Sequence, residues 1–241
     1  MDTMLIRERY KVVRVLEAQE YYAFMEAVDI QDRENNTCLL NVYEGPLLRR
    51  YLDCFEQMSD CPGFQRIFLA GESLVAVFDE CLGRTIDEVF YLGAEHNWKT
   101  RLVYTELLLH KALSLANLPP LVSCAAFLSE NVFVDLPGDR VRLRYHVRPM
   151  EDMNRRELAL LAGDQVKKIL LGGFSAPEEE HVFLNRLDDG SCESVVQLYS
   201  LWHAEREKLH TAYEEREGRN PVSRTFCDLG RAIRRKARKR R

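Results

Sequence analysis

"VLEAQEYYAFMEAVDIQDRENNTCLLNVYE", Val15 to Glu44, holds two short stretches of one texture. "YAFMEAV" is a short apolar and aromatic run broken only by Glu26, and "CLLNVYE" is another, so both predict strands with the polar segment Asp32 to Asn36 as the turn between them. The same texture continues on either side. Upstream "YKVVRVL" predicts another strand; downstream "FQRIFLAG" and "LVAVFDE" predict two more, parted at Gly71. Only "GPLLRRYLDCFEQM" interrupts them, with helical periodicity behind a proline suited to a first turn. The expectation is an antiparallel sheet carrying one helix.

Beyond Asp79 the period becomes 3.6. "NWKTRLVYTELLLHKALSLANL" predicts an amphipathic helix stopping before Pro119 and Pro120. "NVFVDLPGDRVRLRYHV" predicts a hairpin turning at Pro-Gly. "NRRELALLAGDQVKKILLGG" and "CESVVQLYSLWHAEREKLHTAYEERE" predict two further helices. There is no internal repeat and no low-complexity linker.

The 241 residues are 46% hydrophobic, enough for a substantial core. Seven scattered cysteines without a CxxC pair argue against a zinc site or a disulfide framework and for reduced thiols. No apolar run approaches the ~18 residues of a membrane span. Between Arg231 and Arg241 stand eight Lys/Arg and no acid, so removing them from the net −4 leaves −12 on the preceding 230 residues. An acidic body with a basic end is a local electrostatic device rather than a nucleic-acid surface spread over a domain.

Five strands with one interposed helix, then a connecting segment, a long helix and a short hairpin: this order resembles the protein kinase fold. "ERYKVVRVL" looks like that family's first strand, and "YAFMEAVDIQDRENNTCLLNVYE" like its second and third. "LVAVFDECLGRTIDEVF" is similar to the fifth strand, hinge and next helix, and "LSENVFVD" to the end of the catalytic loop. The likeness runs from Glu8 to Val147. It implies an α+β, two-lobed architecture: a small antiparallel β-sheet lobe with one helix over 1–78, a truncated helical lobe over 79–225, and a basic juxtamembrane-like tail over 226–241.

Position by position, the resemblance implies that the catalytic apparatus is missing. The glycines of the family's G-x-G-x-x-G-x-V loop fall on Glu17, Gln19 and Tyr22, so no phosphate-cradling turn remains. The lysine of V-A-I-K falls on Asn41, and its helix partner on Leu52 or Asp53. H-R-D falls on Cys124, Ala125 and Ala126, replacing the base by alanine. D-F-G falls on Tyr145, His146 and Val147; only Asn131, the second metal-holding residue, is kept. Phosphoryl transfer relies on positioning and on charge cancelled by Lys and metal ions, so losing them together predicts no kinase activity. The adenine-lining positions become Phe24 and Leu39, with Phe78 as gatekeeper. Either these fill the slot from within or they simply pack the sheet, and both readings point away from ATP.

Other chemistry lacks a signature. The six histidines form no HExxH, and no GxSxG, GxxxxGK[ST] or GxGxxG occurs. His203 and His210 share a helix face, which suits a solvated or interhelical role. Cys124 reads as a buried structural thiol. "APE" at Ala176 to Glu178 is too short a match to mark an activation segment. Glu178 to Glu180, with Asp188 and Asp189, reads as solvated loop.

The tail residues Arg231, Arg234, Arg235, Lys236, Arg238, Lys239, Arg240 and Arg241 favour an anionic membrane surface, at ~1 kcal/mol per basic side chain. They also fit the positive flank of a span lying beyond Arg241. A disordered solubilising end and a phosphate-binding one are the alternatives. The sequence therefore predicts a catalytically inactive kinase-like domain with no cofactor, no metal, no ATP and no nucleic acid. It would act as a cytoplasmic interaction, scaffold or signalling module for protein partners, and its basic end would set it at the inner face of the plasma membrane as part of a longer single-pass protein. The alternatives are a divergent nucleotide-binding enzyme or regulator using Asn131, and a purely structural oligomeric subunit.

Overall fold

The structure, a computed structural model, describes residues 4–34, 36–91, 96–170, 173, 176–220, 225, 229 and 230. The first lobe is a six-stranded antiparallel sheet ordered β1-β2-β3-β4-β6-β5. Its strands are β1 (Leu5–Ile6), β2 (Tyr10–Gln19), β3 (Tyr22–Asp29), β4 (Thr37–Tyr43), β5 (Phe64–Ala70) and β6 (Ser73–Asp79). Strand alternation gives it two apolar faces. Tyr22, Phe24, Leu39, Leu74, Ala76 and Phe78 turn towards the rest of the protein. Tyr10, Met25, Ala27, Leu40, Val42 and Val77 form a separate cluster on the outer face. The sheet curls over that cluster until Tyr10 on β2 stacks on Phe68 of β5, ring centroids 5.6 Å apart.

Helix α1 (Gly45–Phe55) begins on Gly45 at φ +50°, with Pro46 in the first turn where a missing N–H costs nothing. The tight start is enforced by Tyr21: a Cβ on residue 45 would lie 2.9 Å from its ring. The helix buries Tyr51 and Phe55 on the sheet, Tyr51 stacking on Tyr43 at 4.1 Å.

After β7 (Arg84–Thr85) and a π turn over Asp87–Tyr91 comes α2 (Trp98–Ser114), whose Asn97 cap accepts the Thr100 N–H at 2.9 Å. Residues 98, 101, 102, 105, 108, 109 and 112 are buried at helical spacing, because α4 (Arg155–Leu170) and α6 (Val195–Gly218) both pack on it. Strands β8 (Val132–Asp135) and β9 (Arg140–Leu143) form the expected hairpin and make a second sheet with β7.

Two segments differ from the expectation. Behind the diproline, where no helix was expected, the chain forms α3 (Pro120–Ala126), since a proline that ends one helix equally suits the start of the next. Glu178 to Glu180 are the first turn of α5 (Glu178–Asp188), not a solvated loop. Carboxylates there meet the positive end of the helix. Glu180 is fully buried and accepts the Tyr213 hydroxyl proton at 2.5 Å. The eight tail positions, Arg231, Arg234, Arg235, Lys236, Arg238, Lys239, Arg240 and Arg241, lie outside the described residues. No described helix is long and apolar enough to cross a membrane.

Candidate functional site

The cleft between the two lobes lies under the inner face of β2, β3 and β4 and above α3, and the segment leaving β9 runs through it. β2 and β3 meet in a two-residue turn, Glu20–Tyr21, because Gln19 pairs directly with Tyr22. None of Glu17, Gln19 and Tyr22 in this hairpin is a glycine. Glu17 reaches down instead, its Oε2 2.9 Å from His146 Nε2.

Asn41 is fully buried at the centre of β4. Its side chain makes three hydrogen bonds within the chain. Nδ2 donates to the Tyr145 carbonyl at 2.9 Å, while Oδ1 accepts the Val147 N–H at 2.9 Å and the Tyr22 hydroxyl at 3.0 Å. Neighbouring side chains extend the attachment. Tyr43 Oη donates to the Val147 carbonyl at 2.5 Å, Tyr51 Oη to the Arg148 carbonyl at 3.3 Å, and Arg50 to the Met150 carbonyl at 2.9 Å. Residues 145–150 are thus stitched to β4 and α1 as a strap joining the lobes.

The strap's side chains cover the sheet. His146 stacks on Phe24 at 4.1 Å and 11°, and Tyr145 on Phe78 at 4.9 Å and 14°. Such pairs contribute ~0.5–1.5 kcal/mol beyond their buried area. Phe24, Leu39 and Phe78 are 2%, 4% and 0% exposed. Burial pushes the His146 imidazolium pKa down, opposed by Glu17 and reinforced by Arg144 and Arg148. The ring under Phe24 is therefore biased towards its neutral form.

On the opposite wall, Cys124, Ala125 and Ala126 are buried inside α3. Burial pushes the Cys124 thiol up to about 12, far from a nucleophile's range. Asn131 Nδ2 donates to the Ala125 carbonyl at 2.7 Å and the His146 carbonyl at 3.4 Å, and its Oδ1 accepts from Arg144 Nε at 3.3 Å. Leu52 is half-buried against the core and Asp53 is exposed on α1; neither contacts Asn41 through a hydrogen bond or ion pair. No group of three or more His, Cys, Asp or Glu side chains gathers around a metal-sized site among the described residues.

Asn41, Tyr145 and Asn131 are thus brought together, along with Phe24, Leu39 and Phe78, but as packing and hydrogen-bonding partners. The contributions of Tyr22, Tyr43 and Tyr51 were not legible in advance. An inward tyrosine on a strand or helix reads as core until the acceptor for its hydroxyl is known.

No family model matches the chain, and no curated protein matches it. Among solved structures, the crystal structure of Rad53 1–466 in complex with AMP-PNP aligns over 68% of this chain with a TM-score of 0.50 and 11% identity. Rad53 is a protein kinase, and the two-lobed kinase-like α+β fold is common to both. The alignment covers 49% of the Rad53 chain, and at this identity the likeness concerns the fold alone.

Proposed function

We propose that the chain is a catalytically inactive kinase-like domain that works by binding protein partners in the cytoplasm, with the basic stretch 231–241 holding it beside anionic lipid. One observation carries the reading: the position of the family's lysine is filled by Asn41, whose three hydrogen bonds are spent on Tyr22, Tyr145 and Val147. A neutral amide that is 0% exposed and tied into the fold by three hydrogen bonds cannot supply the cation that a phosphate needs. Tyr145 and His146, at two of the three D-F-G positions, lie on Phe78 and Phe24 where an adenine would rest. What remains for function is the outside of a braced two-lobed body.

The Asn131 alternative has less support. Its amide is bonded to two carbonyls and a guanidinium, partners that suit a structural amide better than a metal ligand. The test is phosphotransfer from ATP with Mg²⁺ or Mn²⁺ to the protein itself and to a generic acceptor, followed by intact mass. The expected result is incorporation no greater than in a protein-free control. Incorporation that disappears in Asn131→Ala would overturn the proposal.

A further inference from the structure

The curled sheet is closed at one end by the Tyr10–Phe68 stack and open at the other. The open end holds a cavity of about 250 Å³, reaching down to Ile6, Met25, Val42 and Val75. Its wall is apolar, and its rim carries Glu44, whose Oε1 accepts the Ser73 hydroxyl proton at 2.8 Å. Two hairpin turns flank the rim. Glu20 sits between the lining residues Gln19 and Tyr21, and Glu72 between the lining residues Ala70 and Ser73. Glu20, Glu44 and Glu72 are all exposed, and neither the lining nor these turns contain a Lys or Arg. An apolar hole ringed by carboxylates fits an aliphatic side chain carried on a strongly basic segment.

The chain contains one such segment. "RAIRRKARKRR", Arg231 to Arg241, has a single large apolar residue, Ile233, among eight Lys/Arg. We propose that this segment docks at the open end of the sheet, with Ile233 in the cavity and its basic neighbours against Glu20, Glu44 and Glu72. The surface would thus be a receptor for the protein's own basic stretch, competing with lipid for the same charges. The inference goes beyond the inactive-domain reading and does not depend on it. Charge brings the partners together and gives salt sensitivity; the anchor in the cavity gives the specificity that charge alone lacks.

Zero-length carbodiimide cross-linking of the full chain, followed by mass spectrometry, tests this. The expected products join Lys236 or Lys239 to Glu20, Glu44 or Glu72. Their yield should fall at least fivefold in Ile233→Ser, which keeps every charge, and similarly in Ala23→Phe, which fills the cavity from β3. Links scattered over acids elsewhere on the body, or a yield unchanged by Ile233→Ser, would overturn the proposal.

Discussion

Replacing Asn41 with leucine keeps the number and branching of the side-chain heavy atoms and removes all of its hydrogen bonds. Three buried partners then lose a mate: the Val147 N–H, the Tyr22 hydroxyl and the Tyr145 carbonyl. Each unsatisfied buried group costs about 1–3 kcal/mol, and leucine's extra apolar burial returns about 1 kcal/mol. The net loss is about 2–8 kcal/mol, and even the lower end lowers Tm by roughly 4–8 °C in a chain of this size. Urea unfolding followed by tryptophan fluorescence reads it directly, since Trp98 and Trp202 are both buried in the helical lobe. Hydrogen exchange supplies a local readout: the Val147 amide, protected by Asn41, should exchange early in the variant. A double-mutant cycle completes the test. Tyr22→Phe alone should cost about 1 kcal/mol, and much less once Asn41 is leucine, because the two share one bond. An Asn41→Leu protein within about 1 kcal/mol of the parent, of the order expected at a surface site, would mean that Asn41 is not the tie between sheet and strap.

Restoring the family's base should fail in a similar way: Ala126→Asp places a carboxylate in the buried end of α3, and calorimetry should show several kcal/mol of destabilisation with no phosphotransfer gained. The His146 shift carries a pH dependence. Its folded pKa is pushed down, so between the folded value and the ordinary 6.5 the unfolded chain binds more protons and stability falls as pH drops. Urea midpoints from pH 7.5 to 5.5 should therefore decline more steeply in the parent than in His146→Phe, which keeps the stack on Phe24 without the titration; equal slopes would contradict this. Glu180→Leu should cost about 1–3 kcal/mol, as expected when a buried donor loses its charged acceptor, because the Tyr213 hydroxyl donates to this buried carboxylate. Thermal unfolding would show it, and a shift of under ~2 °C, less than 1 kcal/mol by the size scaling, would exclude it.

Much of the fold was legible because its elements obey local rules. The β2 to β6 strands announce themselves by short apolar and aromatic runs, and α1, α2, α4 and α6 by 3.6-residue periodicity with Pro, Asn or Ser at their starts. α3 was hidden because Pro119 and Pro120 read as an end, and its buried run of Leu121 to Ala126 has no polar face to reveal a period. α5 was hidden because three consecutive glutamates look solvated until the helix dipole and Tyr213 are in place. In the cleft, likeness to the kinase motifs singled out Asn41, Ala126 and Tyr145 in the sequence. Their work in the fold was not legible there. Asn41 meets Tyr145 and Val147 across more than one hundred residues, a contact set by how the strap crosses the sheet rather than by any local pattern.

A cleft filled by Tyr145 and His146 stacked on Phe78 and Phe24 should hold no nucleotide, and a thermal-shift titration with ATP, ADP and GTP, each with and without Mg²⁺ or Mn²⁺, measures this. A ligand at one hundred times its dissociation constant stabilises a fold by about 2.7 kcal/mol, which here is a shift of roughly 5–11 °C. The expected result is no shift with any nucleotide. A metal-dependent shift that vanishes in Asn131→Ala would contradict it.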